Sequence, residues 1–374
     1  MSKPTESNTE KKSVKIEELR PAFSSFSRAS YFLVFLVSIL LIPEMITWSG
    51  LINRRHSYEI MTENHGAYSF VAKEVFDNEE DIDILFLGSS ILFAGVDTPQ
   101  VQRALSDELG RPAKVVTFGH YFNSIDVMHM QLLDVLEHKK IRMLVLSVPR
   151  MLYTDGPSTP GCRFIRYSDV KDIFFELPLK YKAALYACGI LRAPRDVLSI
   201  VRRNRDSLSP SSFAPNLGAD KAEIGIGRDP RTFSRFTPVS HTIPGSNMIY
   251  SPRTKDQFDF TKDEIPFYQN LFLEKLVETC VQKQIPLVIL NIPQHTERHS
   301  GRVIERKEWT NSLKSEVSLV GVPPAVLFAG LSDEEIDRLR YDDAHFNANG
   351  SEFFTRTILP AIMEVYNTRA TKNY

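Results

Sequence analysis

Two short stretches, far apart along the chain, hold the residue types that hydroxyl-based acyl chemistry needs. Gly88-Ser89-Ser90 follows an apolar run from Ile84 to Leu87. A serine at a turn leaving a strand can expose its hydroxyl while nearby backbone N–H groups face a developing oxyanion. The second stretch is Tyr341-Asp342-Asp343-Ala344-His345-Phe346-Asn347-Ala348-Asn349-Gly350. A serine hydroxyl is a poor nucleophile at neutral pH until a base takes its proton, and that base needs a third group to hold its tautomer. Asp342 and His345 can supply orienter and base from one loop. Either stretch alone also reads as a turn, a helix cap or a surface loop; each gains weight from the other.

Such residues must be positioned by a frame, and the flanking sequence predicts one. The run Ile84 to Leu87 is stopped by Gly and Ser and reads as a buried strand. Thr98-Pro99 opens a helix containing VQRALSDEL, closed by Gly110 and Pro112. Residues 113–119 (AKVVTFG) form the next strand, Asp126 to His138 a second helix and Ile141 to Val148 a third strand. This alternation predicts an α/β fold whose parallel sheet carries helices on both faces. It stops at Met151. From there to about Lys262 the chain is rich in Pro, Ser, Arg and Gly and reads as an insertion, with a helical stretch from Tyr181 to Leu191. Arg192, Arg195, Arg202, Arg203 and Arg205 lie within it, either as a solvated helix face or as a holder for an anionic glycan or lipid head group. The pattern resumes with a helix from Glu264 to Lys283 and a strand at 286–291 (PLVILN). A last strand is expected from Pro324 to Phe328, then a final helix from Ala348 with Asn347 as N-cap. No internal repeat is evident.

Composition bounds the partners. A formal net charge of -1 over 374 residues gives no global reason to expect nucleic-acid binding, so partners must be argued from local features. Three cysteines, Cys162, Cys188 and Cys280, are too widely spaced for a zinc-type CxxC pair and permit one disulfide without requiring it. No metal or cofactor is expected. Residues 1–28 are polar and carry Lys3, Lys11, Lys12, Lys15, Arg20 and Arg28, the composition of a disordered tail. Residues 29–48 (ASYFLVFLVSILLIPEMITW) have the length of a bilayer span and end in a Trp suited to the interface, although Pro43 and Glu44 interrupt them. A cleaved signal peptide or a buried core helix would also fit the run from Tyr31 to Pro43. Basic residues before the span outnumber Arg54 and Arg55 after it, so an anchor would leave the tail cytoplasmic and the rest outside, periplasmic or cell-surface. The expected organisation is a tail (1–28), a transmembrane anchor (29–48), a connecting segment (49–79), one domain (80–366) with an insertion at 151–262, and a C-terminal tail (367–374).

Residues 84–95 (ILFLGSSILFAG) and the D-x-x-H-x-N-x-x-G form of 342–350 together resemble the SGNH or GDSL hydrolase superfamily. The resemblance covers roughly residues 80–150 and 280–366. It implies a flavodoxin-like three-layer fold, with Ser90 as nucleophile, His345 as base and Asp342 as its orienter. Gly119, in VTFGHYFNS, looks like the second-block glycine, whose backbone N–H helps build the oxyanion hole. The third block departs from the family. Where relatives carry Gly-x-Asn-Asp, this chain has Leu146-Ser147-Val148-Pro149-Arg150, so Asn123, Ser147 or Arg150 would have to replace the missing donor. Membrane-anchored relatives in teichoic-acid D-alanylation and exopolysaccharide O-acetylation are similar in layout. The resemblance therefore implies a serine esterase or O-acyltransferase acting on acyl groups of an envelope or secreted polysaccharide, beside the membrane and a multi-spanning acyl-transfer protein. A catalytically weak glycan-binding or assembly component of the same fold is the alternative.

Overall fold

The computed structural model describes residues 25–49, 53–59, 61, 67–120, 124–147, 155–157, 159–164, 173, 175–190, 194–195, 197–198, 258–261, 265–306 and 317–370. In chain order the strands are β1 (Ile82–Ser89), β2 (Val115–His120), β3 (Ile141–Ser147), β4 (Phe258–Thr261), β5 (Leu287–Leu290), β6 (Val303–Arg306) and β7 (Val317–Val320). Five of them form one parallel sheet in the order β2-β1-β3-β5-β7, while β4 and β6 pair separately. Counting only the sheet's own strands, the order is 2-1-3-4-5, as in flavodoxin-like doubly wound sheets. The winding reverses beside β1, and ligands of such sheets sit beyond the strand ends at that reversal.

Strand β1 is buried at every position, as a strand covered on both faces should be. Its side chains alternate between two cores. Leu85 and Leu87 pack with Met128 and Leu132 of α6 (Ile125–His138) and with Phe272 and Leu276 of α9 (Phe267–Gln282). Ile84 and Phe86 pack with Leu92 of α4 (Ser90–Gly95), with Val101 and Leu105 of α5 (Thr98–Leu109), and with Phe354 and Ile358 of α12 (Ala348–Val365). The result is three layers, helix on sheet on helix. Helix α5 starts where the sequence indicates: Asp97 caps it by accepting from the Gln100 N–H at 3.1 Å, and Gly110 ends it at φ 62°.

One expected element is wrong in type. Pro324–Leu327 is a short helix, α10, and not a strand, with the Val326 and Leu327 N–H groups donating to the Pro323 carbonyl at 2.9 Å each. Proline lacks the N–H a ladder needs, whereas its fixed φ suits a first helical turn. The fifth strand is instead Val317–Val320, paired with β5.

The insertion is described in part. It holds α7 (Thr159–Phe164) and α8 (Leu179–Leu185), the latter continued by a wider turn at Tyr186–Ile190, and a disulfide joins Cys162 to Cys188. Tyr181 stacks on Phe267, tying α8 to the main domain. Arg195 lies among the described residues; Arg192, Arg202, Arg203 and Arg205 lie outside them, as do 1–24 of the tail and 371–374.

Before the domain, α1 (Phe26–Trp48) is a 23-residue helix capped by Ser25. Among the described residues no helix is long and apolar enough to cross a membrane. The connecting segment is docked through α2 (Arg54–Glu59) and α3 (Ala67–Ala72). Arg54 Nε donates to both Asp134 carboxylate oxygens at 2.8 Å, and its guanidinium lies 4.3 Å above the Phe164 ring. The buried Tyr58 hydroxyl donates to the same carboxylate.

Candidate active site

Ser90 stands at the first position of α4, directly beyond the carboxyl end of β1 and therefore at the winding reversal. Ser89 is the cap, its hydroxyl accepting from the Ile91 N–H at 3.4 Å, which leaves the second serine pointing into the site. The turn is tight because Gly88 permits it. A Cβ there would lie 2.8 Å from Leu92 Cβ and 2.9 Å from the Ser147 carbonyl oxygen, so any larger residue would push α4 off the sheet. Gly119 is paired with Gly88 across β1 and β2 and is less tightly enclosed, its missing Cβ facing the Phe93 N and the Ser89 carbonyl at 3.1 Å each.

The base arrives from the other end of the chain. Ser90 Oγ lies 2.9 Å from His345 Nε2, and His345 Nδ1 lies 2.8 Å from each Asp342 carboxylate oxygen. Asp342 Oδ1 also accepts from the backbone N–H groups of Ala344 at 2.8 Å and His345 at 2.7 Å, so the carboxylate folds its own loop around itself. Burial pushes the Asp342 carboxyl up, but the His345 hydrogen bond and charge and the two backbone donors outweigh it and hold the carboxyl below its ordinary value. The carboxylate is thus ionised at neutral pH and can hold a proton on His345 Nδ1, leaving Nε2 to accept from Ser90.

Two residues of the last motif fix this loop to the fold. Asn347 caps α12 by accepting from the Gly350 N–H at 3.0 Å, while its amide donates to the Arg338 and Arg340 carbonyls at 2.8 and 3.2 Å. Gly350 is required because a Cβ would fall on the Leu339 carbonyl. The loop is further closed by the Tyr341 N–H donating to the His345 carbonyl at 2.9 Å. His345 is sheltered, its side chain 12% exposed, whereas Asp342 is 45% exposed at the rim.

The structure brings Ser90, His345 and Asp342 together and sets Gly119 beside them. Ser147 is buried at the end of β3 and reaches the turn through its carbonyl. Asn123 and Arg150 lie outside the described residues. The one cysteine outside the disulfide is no rival nucleophile: Cys280 is buried, and burial pushes its thiol up to about 12. Sequence reasoning missed His295, which follows β5 and reaches Asp337 and Asp343 beside the triad loop. A lone histidine after a strand gave no signal for it. The arrangement can lower the barrier to attack by a serine hydroxyl on an acyl carbon. No protein-family profile matches this chain, and neither does any curated protein.

Proposed function

We propose that the chain is a membrane-anchored, extracytoplasmic serine esterase or O-acyltransferase of the SGNH type, acting on O-acyl groups of an envelope or secreted polysaccharide. The observation that carries the reading is the unbroken chain of hydrogen bonds from Ser90 through His345 to Asp342, at 2.9 and 2.8 Å. Ser90 Oγ attacks the ester carbonyl as its proton passes to His345 Nε2. The tetrahedral oxyanion is held by backbone N–H groups, with Gly119 proposed as one donor. Collapse breaks the ester C–O bond, and His345 returns the proton to the departing alkoxide, leaving acyl-Ser90. His345 then takes a proton from water or a sugar hydroxyl as it attacks the acyl carbon; collapse breaks the acyl–Oγ bond, and His345 returns the proton to Ser90 Oγ. Water makes the protein an esterase; a sugar hydroxyl makes it a transferase.

The tether and its orientation rest on three supports. From Tyr31 to Trp48 the sequence holds one charged residue, Glu44. Helix α1 leaves Phe32, Phe35, Ile39, Ile42 and Met45 among its exposed apolar side chains, where a helix docked on a core would bury one apolar face. The Cys162–Cys188 disulfide suits an oxidising compartment. A multi-spanning membrane protein as acyl donor is part of the proposal for a transferase.

Labelling with a serine-directed fluorophosphonate is the test. The full-length protein should label, and Ser90→Ala should not. Absence of labelling in the folded wild type, together with full function of Ser90→Ala, would leave the glycan-binding or assembly reading in its place.

A further inference from the structure

The loop that carries Asp342 and His345 is anchored by Asn347 on its C-terminal side, and a second anchor comes from the turn after β5. There the His295 N–H donates to the Asp343 carbonyl at 2.9 Å. The His295 ring reaches Asp337 Oδ1 at 2.6 Å through Nε2, and Asp343 Oδ1 at 3.7 Å through Nδ1. Asp337 ends α11 (Asp333–Asp337), a short helix opened by the Ser332–Glu335 capping box, so its backbone is held by that helix. The turn bearing His295 is itself built: Gln294 and Glu297 form a reciprocal capping box, and Arg298 bridges the His295 carbonyl at 3.4 Å to Asp333 at 3.4 Å.

We propose that His295 is a positioning residue: with Asp337 it clasps the loop holding Asp342 and His345 in register with Ser90. The triad explains neither this histidine nor its partner, because His295 bonds the residue after Asp342 and a helix outside the triad. A near-attack arrangement tolerates little displacement, so a group that fixes the base acts on the chemical step without touching substrate. The consequence for reaction rate rests on the proposed function; the clasp itself does not. Its strength is bounded because the His295 side chain is 21% exposed and that of Asp337 62%, and exposed pairs are individually weak.

The test compares His295→Ala and His295→Gln with wild type in the full-length protein, using two readouts. Hydrogen exchange of the peptide covering residues 341–346 reports the loop directly. Fluorophosphonate labelling reports Ser90, with the limiting rate separated from the half-saturating probe concentration. The alanine variant should exchange roughly three- to tenfold faster and label slower by a similar factor, with half-saturation and melting temperature unchanged. Glutamine, which can donate to Asp337, should restore both. Unchanged exchange in His295→Ala, or a loss that glutamine does not restore, overturns the clasp. Faster exchange in a protein whose wild type never labels keeps the clasp and removes the nucleophile.

Discussion

Two of the hydrogen-bond clusters in this molecule that end in a carboxylate differ in a way that separates a candidate site from a structural contact. At the strand ends, Ser90, His345 and Asp342 run from a hydroxyl through an imidazole to an acid. On the other side of the sheet, Tyr58 and Arg54 converge on Asp134. The second cluster resembles the first in parts but not in balance. Both oxygens of Asp134 are already engaged by a guanidinium, and the Tyr58 hydroxyl is fully buried and pushed well above its ordinary value by burial and then by the Asp134 charge. Asp342 faces a group that can give and take a proton, at a partly open rim. A polar network becomes a site through titratability and access; a closed, neutralised one is a fastener.

The contrast makes predictions that separate rate from stability. The largest effect belongs to Asp342→Asn, which keeps an acceptor for the Ala344 and His345 N–H groups but removes the charge that fixes the tautomer. Fluorophosphonate labelling should fall about 10³–10⁴-fold with little change in melting temperature. A drop in stability with labelling intact would place Asp342 among the fasteners. Next in size is Arg54→Met, which strips the cation from Asp134, a residue whose side chain is 8% exposed. Urea unfolding should show a loss of roughly 3–5 kcal/mol, and labelling of the still-folded protein should be unaltered; a parallel loss of rate would erase the distinction.

The smallest concerns His129, buried on α6 against Phe272 and Thr279, whose imidazole is lowered to about 4 by burial and then by Lys275. The unfolded chain takes up this proton near the ordinary value of 6.5 and the folded one only near 4, so this contribution is full above pH 6.5 and declines as pH falls towards 4. Between pH 7.5 and 4.5 the decline should be about 2–3 kcal/mol larger in wild type than in His129→Gln, read from denaturant midpoints. Equal declines would mean that this imidazole does not stay neutral in the fold.

Much of the frame was legible because its strands are apolar runs punctuated by Gly and Ser, and because Asn347 sits where a helix cap must. The triad was legible because one loop carries both acid and base. Other features were silent for physical reasons. An apolar run of four residues beside Pro323 and Pro324 cannot be told from a strand by periodicity. Residues 317–320 are too short and too mixed to stand out. His295 and Asp337 meet across 42 positions, a contact that only the folded layers create.

Ser90 and His345 are 255 residues apart, and His345 lies just before α12. At ribosomal speeds of ~5–20 residues per second, Ser90 emerges on the order of ten to fifty seconds before His345 is made. On the proposed function each new chain is inert until the loop of Asp342 and His345 docks, and a chain cut short before that loop would carry Ser90 without its base.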